Sequence, residues 1–127
     1  MRRSASVRVP DNQEERRHLG ERLRQARKYL GLSQEEVATY LKVPRTAVTG
    51  IESGQRRVEA IELKRLAEMY QQPVSYFTGE DAEAAALPVD VAHLARAATQ
   101  LSVRDREELG RFAEYLRARS SREQGER

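Results

Sequence analysis

The sequence predicts an all-α protein: five helices forming one compact unit, followed by a C-terminal helical extension. Three observations predict it. Apolar residues recur at spacings of three and four along most of the chain, and capping and stop residues stand where those runs begin and end. Aromatic residues make up only 6% with no Trp, so the core falls to Leu, Val, Ile and Ala, a set that favours helices over sheets. With 127 residues the chain is long enough for one domain with an appendage and too short for two substantial cores.

Residues 1–12 (MRRSASVRVPDN) are basic and lack sustained periodicity, which predicts a flexible arm of the kind that can enter a minor groove; Pro10 disfavours helix at Val9. Asp11 with Glu14 suggests a capping box, and Leu19, Leu23, Ala26 and Leu30 then give the first helix, about 13 to 30, which Gly31 stops. Ser33 and Glu36 form the reciprocal capping pair of a short second helix, Gln34 to Leu41. Pro44 makes Lys42-Val43-Pro44 a turn, and the third helix runs from Arg45 to Ser53 with Gly54 ending it. A basic loop, Gln55-Arg56-Arg57-Val58, precedes a fourth helix whose stripe draws on Ile61, Leu63, Leu66, Ala67 and Tyr70. Pro73 opens a last short turn, Val74 to Phe77, closed by Gly79.

The first unit is therefore 13–79. Residues 80–88 (EDAEAAALP) are acidic, Ala-rich and end in Pro, and are expected to be a linker. Two more helices, about 90–99 and 104–119, fill a region 89–119 in which Ser102 caps the second with Asp105 at the box position. Residues 120–127 are expected to fray.

Charge is uneven. Residues 1–79 hold 15 Lys/Arg against 10 Asp/Glu (+5), and 80–127 hold 8 against 10 (−2), so the first unit is the candidate face for a polyanion. The absence of Cys excludes disulfides, thiolate metal sites and thiol nucleophiles. No apolar run reaches the ~20 residues of a membrane span, and Met1-Arg2-Arg3-Ser4 leads into polar sequence, so a cytoplasmic protein without membrane association is expected. His18 and His93 are expected on the surface without the neighbours of a zinc site. No phosphate-binding loop or nucleophile elbow occurs, so neither catalysis, metal nor cofactor is expected.

The segment LSQEEVATYLKVPRTAVTGIESG, with RLRQARKYLGLSQ in front, resembles the phage-repressor-like, xenobiotic-response-element helix-turn-helix transcriptional regulators (Cro-type). The resemblance spans about Leu19 to Gly79. It implies a five-helix repressor-like DNA-binding domain whose partner is double-stranded DNA, in a transcriptional regulator that represses as a homodimer on a two-fold operator. An antitoxin or adaptor-type interaction protein that autoregulates through the same motif would share these features.

In a pair of short helices crossing around a tight turn, Ala38 is small at the closest approach, and Val37, Leu41, Val43, Val48 and Ile51 supply the apolar contacts. The resemblance implies that Arg27 pairs with Glu52 to orient the recognition helix. It places DNA contacts on Gln34, Arg45, Thr46, Thr49 and Gly50, with Ser53 and Gln55 beside them and Arg56 and Arg57 against phosphates. Gln34 suits a phosphate or the N6/N7 edge of adenine, Arg45 suits guanine O6/N7, and the Thr methyl groups suit thymine.

Two positions depart from the family pattern. Lys42 stands where Gly is common, at about 1–2 kcal/mol if its backbone is left-handed. Gly50 puts a glycine inside the recognition helix, at ~1 kcal/mol against Ala, either for close approach to the groove or because a reading position is lost.

In the extension, Leu109, Phe112, Ala113 and Leu116 share a face expected to bind a second copy or another partner, with Leu94, Ala97, Ala98 and Leu101 before it. The segment HLARAATQLSVRDREELGRFAEYLRAR also resembles a tail of regulators in this family that accompany a zinc-dependent regulatory peptidase, which implies such a peptidase as a further partner.

Overall fold

A computed structural model describes residues 12–125. Within them the chain forms eight helices and no strand: α1 Gln13–Tyr29, α2 Gln34–Leu41, α3 Arg45–Ser53, α4 Ala60–Tyr70, α5 Val74–Thr78, α6 Ala82–Ala85, α7 Val89–Thr99 and α8 Val103–Gly125. The arm expected at 1–12 lies outside the described residues except for Asn12. No helix among the described residues is long and apolar enough to cross a membrane.

The first unit runs through His93. Asn12, not Asp11, caps α1: its side chain accepts from the Glu15 N–H at 2.8 Å, with Glu14 and Glu15 in the first turn and Arg27 and Lys28 in the last to complement the helix dipole. Leu19, Leu23 and Ala26 face inward, against α3 and α5. Gly20 lies where α1 meets the end of α3, and a Cβ there would collide with the carbonyl oxygens of Ile51 and Glu52.

α2 opens on the reciprocal cap: Ser33 Oγ accepts from the Glu36 N–H at 3.0 Å, and Glu36 Oε1 accepts from the Ser33 N–H at 2.8 Å. The turn to α3 passes through Lys42 at φ 60°, ψ 46°, so the left-handed backbone falls on a residue with a Cβ. Val37, Ala38, Leu41, Val48 and Ile51 are buried between the two helices.

In α4 the stripe begins at Leu63. Leu63, Leu66, Ala67 and Tyr70 share one helical row and are buried, while Ile61 falls off that row and is 59% exposed. Tyr70, Tyr76 and Phe77 close the base of the core, with ring centroids 6.1 Å apart for Tyr70–Phe77 and 5.1 Å for Tyr76–Phe77.

The segment expected as a linker contains α6, capped by Asp81, which accepts from the Ala84 N–H at 3.2 Å; Ala84 packs against the core. The first unit then continues into α7, where Ala92 and His93 are buried. His93 is thus not a surface residue: its ring stacks on Tyr29 at 4.6 Å and meets the edge of Tyr76 at 6.4 Å, both far away in sequence.

The second unit begins at Leu94 and holds the rest of α7 and α8. Ser102 caps α8, its hydroxyl accepting from the Asp105 N–H at 3.1 Å. The helix continues through Ser120 to Gly125, where fraying was expected, and no residue of α8 is buried.

Candidate nucleic-acid interface

The interface is built outward from a buried ion pair. Arg27 of α1 donates from Nε to Glu52 Oε2 at 2.8 Å and from Nη2 to Glu52 Oε1 at 3.1 Å, and its Nη1 reaches the Leu32 carbonyl at 2.9 Å. Both residues are buried. The hydrogen bonds to Glu52 hold the Arg27 pKa above its ordinary value although burial opposes this. The pair ties α1, and through Leu32 the entry to α2, to the last turn of α3.

Glu52 Oε1 also accepts from Gln34 Nε2 at 3.0 Å. A carboxylate only accepts, so the amide must turn its NH2 inward and its oxygen outward. That oxygen accepts from Thr49 Oγ1 at 3.0 Å and from Arg45 Nε at 3.4 Å. An unbroken series of bonds therefore runs from Arg27 in the interior to Arg45 and Thr49 on the surface. Arg45 is exposed at the first position of α3, and its carbonyl accepts from Thr49 Oγ1 at 3.3 Å.

Arg45, Thr46, Thr49, Gly50, Ser53 and Gln55 line one shallow concavity along the outer side of α3 and the start of the loop. The structure thus gathers six of the residues expected from sequence, with Gln34 bonded to two of them. Arg56 and Arg57 do not line this concavity. Arg57 is exposed in the following loop. The Arg56 guanidinium turns to α4, where Nη1 and Nη2 donate to Glu62 Oε1 and Oε2, each at 3.2 Å. Glu62 also accepts the Glu59 N–H at 3.0 Å, so Arg56 joins the cap of α4. The Arg56 side chain keeps a partly exposed edge beside this carboxylate.

The same loop explains Gly50. Its carbonyl accepts the N–H groups of Gln55 at 2.9 Å and Arg56 at 3.0 Å, and a Cβ at position 50 would stand 3.0 Å from Arg56 Cβ. The glycine makes room for the chain folding back after α3. Internal packing is a third reason for it, beside the groove approach and the lost reading position weighed from sequence.

Sequence reasoning missed the Gln34–Glu52 bond and the Arg56–Glu62 pair. The Glu59/Glu62 spacing ahead of the Leu63 stripe is a capping-box signal for the second; nothing local announces the first. Ala38, buried between α2 and α3, and the Arg27–Glu52 pair are both behind the face and contribute no atom to it.

Residues 18–75 match a family model described as a helix-turn-helix domain. Among solved structures, the restriction-modification controller protein C.AhdI from Aeromonas hydrophila is 33% identical; the match covers 50% of this chain and 97% of that one, with a TM-score of 0.48. A hypothetical transcription factor, NHTF, from Neisseria is 25% identical over 57% of this chain and 84% of that one, also with a TM-score of 0.48. Among curated proteins none matches significantly.

Proposed function

We propose that this chain, whose residues 18–75 match a helix-turn-helix domain, is a phage-repressor-like regulator that binds DNA sequence-specifically to control transcription, as a homodimeric repressor on a two-fold operator. That match supports DNA binding. The carrying observation is the exposed face of α3, on which Arg45, Thr46, Thr49, Gly50, Ser53 and Gln55 converge while the buried Arg27–Glu52 pair braces it through Gln34.

With α3 in the major groove, the Arg45 Nη groups present a fork to guanine O6 and N7, and the methyl groups of Thr46 and Thr49 pack on thymine. Gln34 acts as a strut: with its oxygen held by Thr49 and Arg45, it offers its remaining N–H to a phosphate rather than both ends to adenine. Ser53, Gln55 and Arg57 border the face toward the sugar-phosphate backbone, and Gly50 leaves α3 flat between them.

One recognition helix covers one half-site, so two copies about one helical turn, ~34 Å, apart are needed for useful specificity. Bound there, a dimer occludes the DNA it covers, which is the basis of the repressor assignment. Selection of bound duplexes from a random-sequence pool tests the reading. Recovery of a palindromic site is the expected result; a pool that stays random at every salt concentration would overturn it.

A further inference from the structure

We propose that α8 pairs antiparallel with α8 of a second copy, with Phe112 on the two-fold axis and Asp105 of each chain facing Arg119 of the other. The proposal deepens the homodimer reading above and rests on it for its biological role.

α8 has 23 residues and buries none of them. Phe112 is 58% and Tyr115 54% exposed, and the two rings lie 6.3 Å apart. Isolated helices draw little stability from propensity alone, so a helix of this length with an apolar row and no cover calls for a partner. Leu109, Phe112, Ala113 and Leu116 form the row, and Leu109 and Leu116 are its half-buried members.

Charge selects the occupant and the direction. Between Val103 and Gly125 the helix carries six Arg and five Asp/Glu, so a strongly acidic or basic partner gains nothing from it. On the two flanks the charges are satisfied within the helix, by Glu108–Arg111 and Glu114–Arg117, both at 2.8 Å. At the ends of the apolar row they are not matched in kind. Asp105 and Arg119 lie seven residues before and after Phe112, which is two turns each way and within ~20° of the same face per step. Among the described residues Arg119 reaches only Glu123, at 3.9 Å on the exposed surface. A parallel pair would set Asp105 against Asp105 and Arg119 against Arg119. An antiparallel pair centred on Phe112 sets each Asp105 against an Arg119, twice over, with Leu109 and Leu116 alongside. A two-fold arrangement is also the commonest closed symmetry for identical chains.

Sedimentation of the full chain without DNA tests the pairing. Wild type is expected to show a concentration-dependent dimer, which Phe112→Ala weakens at least tenfold with helicity retained by circular dichroism. Asp105→Arg and Arg119→Asp should each weaken it by about tenfold at low salt, since two favourable contacts per dimer become two repulsive ones. The double variant D105R/R119D should return to within about twofold of wild type. Single variants that dimerise like wild type, a double variant that fails to recover, or a monomer at all concentrations would each overturn the proposal. The last result would leave the face to an unlike protein such as a peptidase. Binding of the same proteins to a random-sequence duplex is measured separately. A dimer behaving as described that binds no DNA would remove the regulator reading and leave the α8 pairing standing.

Discussion

Gln34 donates to Glu52 across 3.0 Å, and through this bond the interior of the first unit sets the orientation of its exposed face. The Glu52 carboxylate, itself fixed by Arg27, fixes the amide, and the amide oxygen holds Thr49 and Arg45. Preorganisation of Arg45, the proposed reading side chain, is thus traced to Glu52, which lies behind the exposed face.

The ion pair behind that bond is expected to be strongly coupled. Arg27→Met leaves Glu52 buried with only Gln34 as a donor, and Glu52→Leu leaves a buried guanidinium, so each should cost about 3–5 kcal/mol. The double variant R27M/E52L, apolar on both sides, should lose less than either alone. Urea unfolding checks this, and strictly additive losses would show that the pair is not coupled.

Gly20→Ala should destabilise the protein although alanine is the better helix former by ~1 kcal/mol. The added carbon meets the backbone carbonyls of Ile51 and Glu52, which cannot rotate away as a side chain would. A net loss of roughly 1–3 kcal/mol is expected, with α1 pushed off α3. Unchanged or raised thermal stability would show that α1 and α3 sit farther apart.

Lys42→Gly should act in the opposite direction. At φ 60° a side chain is strained, and removing it should raise stability by about 1 kcal/mol, less the entropy that glycine adds to the unfolded chain. Denaturant midpoints compared with Lys42→Ala, which keeps the strain, isolate the backbone effect.

His93 gives the fold a pH dependence. Burial pushes its pKa below the ordinary histidine value, and Nε2 is buried with no partner. The titratable groups facing it are Tyr29 of α1 and Tyr76 of α5, the latter under the influence of Arg22, and neither ring can stabilise an imidazolium as a carboxylate would. Because the folded pKa lies below the unfolded one, the contribution is complete above about pH 6.5 and declines as pH falls toward the folded value. Thermal unfolding of wild type should therefore weaken between neutral and mildly acidic pH relative to His93→Phe, which keeps the stack. Parallel pH profiles for the two proteins would show that His93 takes up its proton as readily in the folded chain as in the unfolded one.

Features decided within a few residues were legible in the sequence. The Ser33–Glu36 cap, the Gly54 stop and the Leu63-Leu66-Ala67-Tyr70 row each follow from local chemistry, and the five-helix unit with them. The Arg27–Glu52 contact came from family resemblance, since 25 residues separate the partners. What stayed hidden was decided by distant neighbours. His93 is buried because Tyr29 and Tyr76 receive it, and Gly50 is small because Arg56 returns beside it. α6 escaped notice because a helix of four residues has no periodicity to display, and Asp81 capped it within a stretch dominated by its acidic composition.

The assignment of α3 as a reading helix is tested most directly by Arg45→Ala. Affinity is measured by gel shift on the duplex selected from the random pool and on an unrelated duplex of equal length, at one salt concentration. The variant should lose about 1–3 kcal/mol on the selected site and much less on the unrelated one, with preference relaxed at one base pair in each half-site. Equal losses on both duplexes would contradict it and make Arg45 a phosphate contact.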